Sequence, residues 1–163
     1  MSALYNITKT GQGYIFITDT NLEYTVLFST NLIKDRDGNN HVVYNFVFER
    51  SGKYDSAGFK NRFDEKVKNT IVHIVKEFFK LNGDTALLYF CYPEDEYSRQ
   101  RSITFSKWHR EELSNEIEHL KKNTIYNEEK LYGGMLYLKD NPLSELLIEA
   151  VTKYFDELVS YKD

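Results

Sequence analysis

The chain has 163 residues, of which 41% are hydrophobic and 28% are charged, and its formal net charge at pH 7 is −4. This length is typical of a single domain with its own core, and the composition argues against intrinsic disorder. The acidic balance excludes a global basic field, so nucleic acid is not favoured as a partner and neither is an anionic membrane surface.

Cys91 is the only cysteine, which excludes an intrachain disulfide and a CxxC zinc site. No apolar run approaches the roughly 18 residues that span a bilayer. The first residues, MSALYNITKTGQGY, lack the apolar segment of a signal peptide. We therefore expect a cytoplasmic protein without a membrane segment.

The first part of the chain alternates apolar and polar residues, which predicts strands at 13–19 (GYIFITD), 24–30 (YTVLFST) and 42–50 (VVYNFVFER). A loop with an Asp-Gly turn signal separates the last two, over residues 34–41. The expected structure is a three-stranded antiparallel meander.

The period then changes, and a helix is predicted over residues 64–81. Asp64 is the expected N-cap, and Asn82-Gly83 is the expected stop. The apolar stripe of this helix consists of Val67, Ile71, Ile74, Val75 and Phe78.

An interior strand is predicted for TALLYFCY (85–92), because the run is short and almost continuously apolar. Residues 98–122 return to helical spacing. Their apolar stripe rotates along the segment, which indicates a bend near residues 109–112.

Residues 129–140 (EKLYGGMLYLKD) predict another strand, in which Gly133-Gly134 marks a bulge or close packing. Asn141 and Pro142 then begin a final helix. Its predicted buried stripe consists of Leu143, Leu146, Leu147, Ala150, Tyr154 and Leu158. The order is βββ-α-β-α-β-α, which predicts one α+β domain over residues 1–163, with helices packed on a mainly antiparallel sheet.

Arg101 lies on one face of its predicted helix with Phe105 and Trp108. One interpretation is structural: the arginine packs on the aromatic rings and pairs with a carboxylate such as Asp95. The other is that its guanidinium binds a phosphate or carboxylate ligand. We favour the structural interpretation. The candidate ligand-binding residues are Asp95, Arg101, Lys107 and Trp108.

The sequence contains no HExxH, GxSxG, P-loop or GxGxxG motif. His41, His73 and His119 show no metal-ligand spacing, and neither a metal nor a cofactor is expected. His109 is a weak candidate for a general base. Catalysis is therefore not the favoured function.

Several segments together resemble a known family: DxKVxNTIVxIVxEFF (64–79), LLYFCYPED (87–95), RQRSITFSKW (99–108) and LKDNPL (138–143). The resemblance covers roughly residues 10–155 and is to a family of small bacterial proteins, mainly from Bacteroidota, classified as a domain of unknown function. It implies a cytosolic bacterial domain with an Asp/Arg/Trp cluster. The chain departs from the family pattern where Tyr92 and Pro93 separate the cysteine from Glu94.

Two classes of function remain. The first is a small interaction protein, such as an antitoxin, an immunity protein or a defence accessory factor, that binds a protein partner or a second copy of itself. Its candidate anchors are Tyr14, Tyr24 and Tyr44. The alternative is a metal-independent enzyme or sensor for a nucleotide or RNA that uses Arg99, Arg101, Lys107 and His109.

Overall fold

The computed structural model describes residues 3–50, 65–91, 98–126 and 128–160. Within these ranges the first strands are β1 (Thr8–Lys9), β2 (Gly13–Ile17), β3 (Glu23–Lys34) and β4 (Asn40–Arg50), and helix α1 (Glu65–Leu81) and strand β5 (Leu87–Cys91) follow. Helix α2 (Ser98–Trp108) continues into a π-helical turn (His109–Leu113). The last elements are β6 (Ile117–Lys121), β7 (Thr124–Tyr126), β8 (Glu129–Leu138) and helix α3 (Ser144–Ser160).

The strands form one sheet in the order β1-β2-β3-β4-β5-β8-β6, with β7 paired to the start of β8. All the described neighbours are antiparallel except β4 and β5. That parallel pair requires a crossover connection, which includes α1. The predicted α+β class and mainly antiparallel sheet are confirmed.

The meander is longer than predicted. Strands β3 and β4 pair from Tyr24↔Arg50 to Lys34↔Asn40, so the predicted loop shrinks to residues 35–39. Gly38 has a positive φ of 83°, the backbone conformation that the Asp-Gly signal indicated. The short edge strand β1 was not predicted.

Helices cover both faces of the sheet. On one face, Ile71 of α1 and Phe105 and Trp108 of α2 pack with Phe46 and Tyr89 of the sheet. On the other face, α3 packs in a separate core, which includes Val43, Leu88, Met135, Leu147, Val151 and Phe155. None of the described helices is long and apolar enough to cross a membrane.

Helix α1 confirms the predicted stripe, since every one of its five residues is buried. The helix ends at Leu81, and Asn82 donates from Nδ2 to the Phe78 carbonyl oxygen at 2.9 Å. This bond satisfies one of the free carbonyls at the helix end, as expected of a stop residue. Asp64, the predicted N-cap, lies outside the described residues.

The helix predicted over residues 98–122 is wrong in its second half. The α-helix ends at Trp108, and residues 117–121 form β6, which pairs antiparallel with β8. The free edge of β8 offers five residues a complete ladder there, so tertiary pairing overrides the local helical spacing. The bend predicted near residues 109–112 coincides with the π-helical turn.

A buried lysine ties this turn to α1. Lys68 Nζ lies 3.1 Å from Glu111 Oε2 and 3.1 Å from Glu112 Oε1. Burial alone would lower the pKa of Lys68, but the hydrogen bonds to both carboxylates raise it overall. The ammonium therefore stays charged and holds the turn in place.

The glycine pair in β8 serves close packing. The register runs through both residues without an offset, so there is no bulge at this point. A Cβ on Gly133 would lie 2.8 Å from the Tyr89 carbonyl oxygen, and a Cβ on Gly134 would lie 2.8 Å from the Leu120 carbonyl oxygen. Only glycine fits at both positions.

Helix α3 begins close to the predicted position, and Asn141 Oδ1 accepts a hydrogen bond from the Leu143 amide at 2.9 Å. Its buried stripe is rotated relative to the prediction, because Leu143, Leu146, Tyr154 and Leu158 are only half-buried. The fully or nearly fully buried positions are Leu147, Ala150, Val151 and Phe155.

Candidate functional site

Arg101 lies at the carboxyl ends of the parallel strands β4 and β5. It lines a cavity of about 40 Å³ together with Phe46, Phe48, Tyr89 and Phe105, among others. One water molecule needs about 10–15 Å³ of cavity volume. The described cavity therefore has room for a few waters and is too small for a nucleotide. Asp95, the proposed carboxylate partner, lies outside the described residues.

We expect Arg101→Ala to lower the free energy of unfolding by roughly 2 kcal/mol, because the arginine side chain lines a cavity walled by aromatic rings. Urea denaturation measures this loss. Arg99→Ala is the matched control, since Arg99 is exposed on the same helix. Unchanged stability of Arg101→Ala, together with loss of a phosphate-induced rise in Tm, would support the ligand-binding interpretation instead.

The other candidates on this segment lie in separate environments. Lys107 is exposed and pairs with Glu111 at 3.8 Å. Trp108 is buried in the core beside Phe105. His109 uses Nε2 to bond the Ile117 carbonyl oxygen at 2.7 Å. The structure brings Arg101, Phe105 and Trp108 to one side of the helix but gives Lys107 and His109 different partners.

The prediction that three tyrosines anchor a protein partner needs a correction. Tyr24 is completely buried and stacks on Phe16 with a centroid distance of 5.1 Å, so it cannot anchor an external contact. Tyr14 and Tyr44 are half-buried. All three tyrosines point to the sheet face that α1 and α2 cover, which the sequence alone did not identify.

An apolar surface surrounds the end of α1. Leu81 is 86% exposed, and the cross-strand partners Leu32 and Val42 are 63% and 49% exposed. Val42 shares its strand face with Tyr44, whose ring meets that of Phe78 at a centroid distance of 5.0 Å. We call Leu32, Val42, Tyr44 and Leu81 the α1-end surface, and Phe78, which Tyr44 contacts, is itself buried.

Two grooves flank this surface. The first, of about 250 Å³, separates the turn between β1 and β2 from α1 and is lined by Tyr14, Phe28, Phe78 and Leu81, among others. We call it the Tyr14 groove. The second, of about 260 Å³, lies between β4, the start of β5 and the start of α3. We call it the His41 groove. Its lining includes His41, Val42, Tyr44, Asn82, Asp84 and Thr85.

His41 is held by a buried carboxylate. Asp35 Oδ2 lies 2.6 Å from His41 Nε2, and the Asp35 side chain has no exposed area. Asp35 Oδ1 accepts from the amides of Asp37 and Asn39 at 2.8 and 3.0 Å. The hydrogen bond from His41, followed by those from the Asn39 and Asp37 amides, lowers the pKa of Asp35 although burial opposes this.

A second hydrogen-bonded histidine, His119, lies inside the protein. The Tyr89 hydroxyl and His119 Nε2 are 2.5 Å apart, and the His119 ring meets that of His109 edge-on at 5.1 Å. Burial raises the pKa of Tyr89, and the Cys91 thiol adds to this effect. Burial also lowers the pKa of His119 to about 4, with smaller contributions from His109 and Lys121. Tyr89 is therefore the donor and neutral His119 the acceptor.

Sequence reasoning missed both the Asp35–His41 pair and the Tyr89–His119 pair. Asp35 and His41 flank a five-residue hairpin turn, so their positions on either side of the Asp-Gly signal were the available clue. His119 pairs with Leu136 in the ladder between β6 and β8, and this position becomes interpretable only once residues 117–121 are recognised as a strand.

Comparison with known proteins places the chain in a family. A family model described as a family of unknown function (DUF6169) matches residues 63–153, from the start of α1 to the middle of α3. No curated protein and no solved structure matches the chain. The match lies within the range of the resemblance recognised from sequence motifs, and it spans more than half of the chain. The chain therefore belongs to the family of unknown function DUF6169.

Proposed function

We propose that the chain is a protein-binding module of the antitoxin, immunity or defence-accessory type, acting in the bacterial cytoplasm, and that it binds its partner through the α1-end surface. The observation that carries this proposal is the position of Leu81. It is 86% exposed at the end of a helix, between two grooves that each contain a half-buried tyrosine.

Several exposed apolar side chains grouped near one helix end favour a binding site over chance exposure. Burying a leucine side chain completely contributes about 1.5–3 kcal/mol. Because Leu81 is mostly exposed in the free protein, most of this free energy would be gained when a partner covers it. Tyr14 and Tyr44 add aromatic area at the groove walls, and tyrosine is enriched among residues that dominate binding energy.

The two groove volumes lie close to the lower limit for small-molecule pockets. Pockets for small molecules usually measure about 300–1,000 Å³. The two grooves, at about 250 and 260 Å³, are below that range and are open on the same helix end. Grooves of this size accommodate single side chains of a partner on either side of Leu81.

The alternative, a metal-independent enzyme or sensor for a nucleotide or RNA, has less support. Lys107 and His109 each have a different partner, and Arg101 lines a cavity of only about 40 Å³. A phosphate-binding centre needs its cations to converge on one position. The described residues provide no such convergence.

Leu81→Asp tests the proposal, because it places a charge at the centre of the apolar surface. Tagged wild type and variant are purified from the native host, and the proteins recovered with each are quantified by mass spectrometry. We expect the partner's recovery to fall at least about tenfold, since a binding anchor contributes about 2 kcal/mol or more.

Ile125→Asp is the matched control, because Ile125 is a similarly exposed apolar residue (48%) on β7, away from α1. It should leave partner recovery unchanged. Equal recovery with wild type and Leu81→Asp would show that the α1-end surface does not bind the partner.

A further inference from the structure

We propose that the His41 groove receives the guanidinium of an arginine side chain from the partner. This inference rests on the proposed function, since it identifies the chemistry of one partner residue at that same surface. The groove borders the α1-end surface directly, because Val42 and Tyr44 belong to both. A partner residue beside the one that covers Leu81 would therefore reach it.

The groove presents a carboxylate without a counter-ion. Asp84 is exposed and lines the groove, and no hydrogen bond or ion pair to it occurs within the described ranges. An ionised carboxylate only accepts hydrogen bonds. Among the described lining residues, Asp84 is the one that carries a full charge independently of histidine protonation.

The Asp35 carboxylate holds His41 at the wall of the groove. Three donors hold the Asp35 carboxylate in its ionised form, and an ionised carboxylate cannot donate. The hydrogen between Asp35 Oδ2 and His41 Nε2 therefore belongs to the imidazole. The described residues provide no hydrogen-bond partner for His41 Nδ1.

Two neighbouring polar residues offer acceptors to the groove. Asn82 donates one of its two Nδ2 hydrogens to the Phe78 carbonyl oxygen, and its Oδ1 is an acceptor. The Thr85 hydroxyl donates to the Val42 carbonyl oxygen at 2.5 Å, which leaves its lone pairs. Both residues line the groove at the carboxyl end of α1, where the helix dipole adds partial negative charge.

A groove that offers acceptors and one uncompensated carboxylate favours a cationic ligand with several donors. Arginine fits better than lysine, because its planar guanidinium donates in several directions and stacks on an aromatic ring such as that of Tyr44. Phosphate is disfavoured by Asp84. The described residues contain no group of three His, Cys, Asp or Glu side chains suited to a metal ion.

The test is a titration with N-acetyl-arginine amide, followed by NMR at the backbone amides of residues 82–85. The neutral control ligand is N-acetyl-citrulline amide, which has nearly the same shape without the charge, and N-acetyl-lysine amide distinguishes the guanidinium from an ammonium. We expect saturable shifts with the arginine amide, weaker ones with the lysine amide and none with the citrulline amide.

Asp84→Asn should raise the Kd for the arginine amide at least about threefold, as expected for loss of one ion pair. Asp156→Asn, which changes an exposed acid near the other end of α3, should leave it unchanged. Equal shifts with the citrulline amide, preferential binding of inorganic phosphate or an unchanged Kd for Asp84→Asn would overturn the inference.

Self-association is a separate outcome. A dimer in sedimentation velocity that Leu81→Asp dissociates and Asp84→Asn does not would show that a second copy covers the α1-end surface without a cation in the groove, which would also overturn the inference. Failure of the arginine titration leaves partner capture through Leu81 intact, so the inference and the proposed function fail in distinguishable ways.

Discussion

Replacing Phe155 by alanine is expected to lower the free energy of unfolding by about 3–5 kcal/mol, the usual cost of removing a buried phenylalanine. Phe155 is completely buried in the core between α3 and the sheet. Its ring stacks on Phe90 at a centroid distance of 5.0 Å, and its Cε1 would lie only 3.0 Å from a Cβ on Gly133. The sheet backbone forms one wall of this space and cannot move in to fill the cavity.

Urea denaturation measures the loss, which should appear as a lower midpoint with an unchanged slope. Tyr154→Ala is the control on the neighbouring position of α3, since Tyr154 is only half-buried. Its expected cost is about 1 kcal/mol. If the two variants lost the same stability, α3 would not be packed as the structure has it.

The sequence predicted elements well where burial itself is periodic. The stripe from Val67 to Phe78 places every apolar residue against one sheet face, so helical spacing and tertiary structure agree. Strands β2 to β4 were predictable for the same reason, with a period of two. The pairing of β4 with β5 was not predictable, because this parallel partner follows only after the crossover connection that includes α1.

The failure at residues 109–121 has a different origin. The spacing of Leu113, Ile117 and Leu120 fits a helix, yet Ile117 and Leu120 belong to β6 and pair with β8. The free edge of β8 is a non-local feature, so a local pattern cannot show it. The error also concealed His119, whose contact with Tyr89 exists only in the strand arrangement.

The candidate surface was predicted only in part. Tyr14 and Tyr44 were predicted as anchors of an interaction protein, but their alternation with buried residues did not reveal which face α1 covers. Sequence reasoning did not identify Leu81 as an exposed residue. Leu81 lies three residues after Phe78, at the spacing of the buried stripe, and looks like an ordinary helix end. Its exposure results from the position at which α1 stops relative to β3 and β4, which is a property of the assembled domain.

Acid should destabilise the protein through His119. Burial lowers the pKa of this histidine from 6.5 to about 4, so the unfolded chain binds a proton between these values that the folded protein does not. The stabilisation is complete above pH 6.5 and is lost as pH falls through about 4. At about 1.4 kcal/mol for each tenfold change in proton affinity, the loss is roughly 3 kcal/mol.

The comparison of wild type with His119→Gln isolates this effect, because carboxylates such as Asp35 and Glu111 also titrate in acid but do so in both proteins. Glutamine cannot titrate and still offers an acceptor to the Tyr89 hydroxyl. The stability advantage of wild type, measured by urea denaturation at each pH, should therefore shrink by roughly 3 kcal/mol between pH 7 and pH 4. An advantage that stayed constant across this range would mean that His119 is protonated in the folded protein as readily as in the unfolded chain, and the buried Tyr89–His119 pair would then not exist in solution.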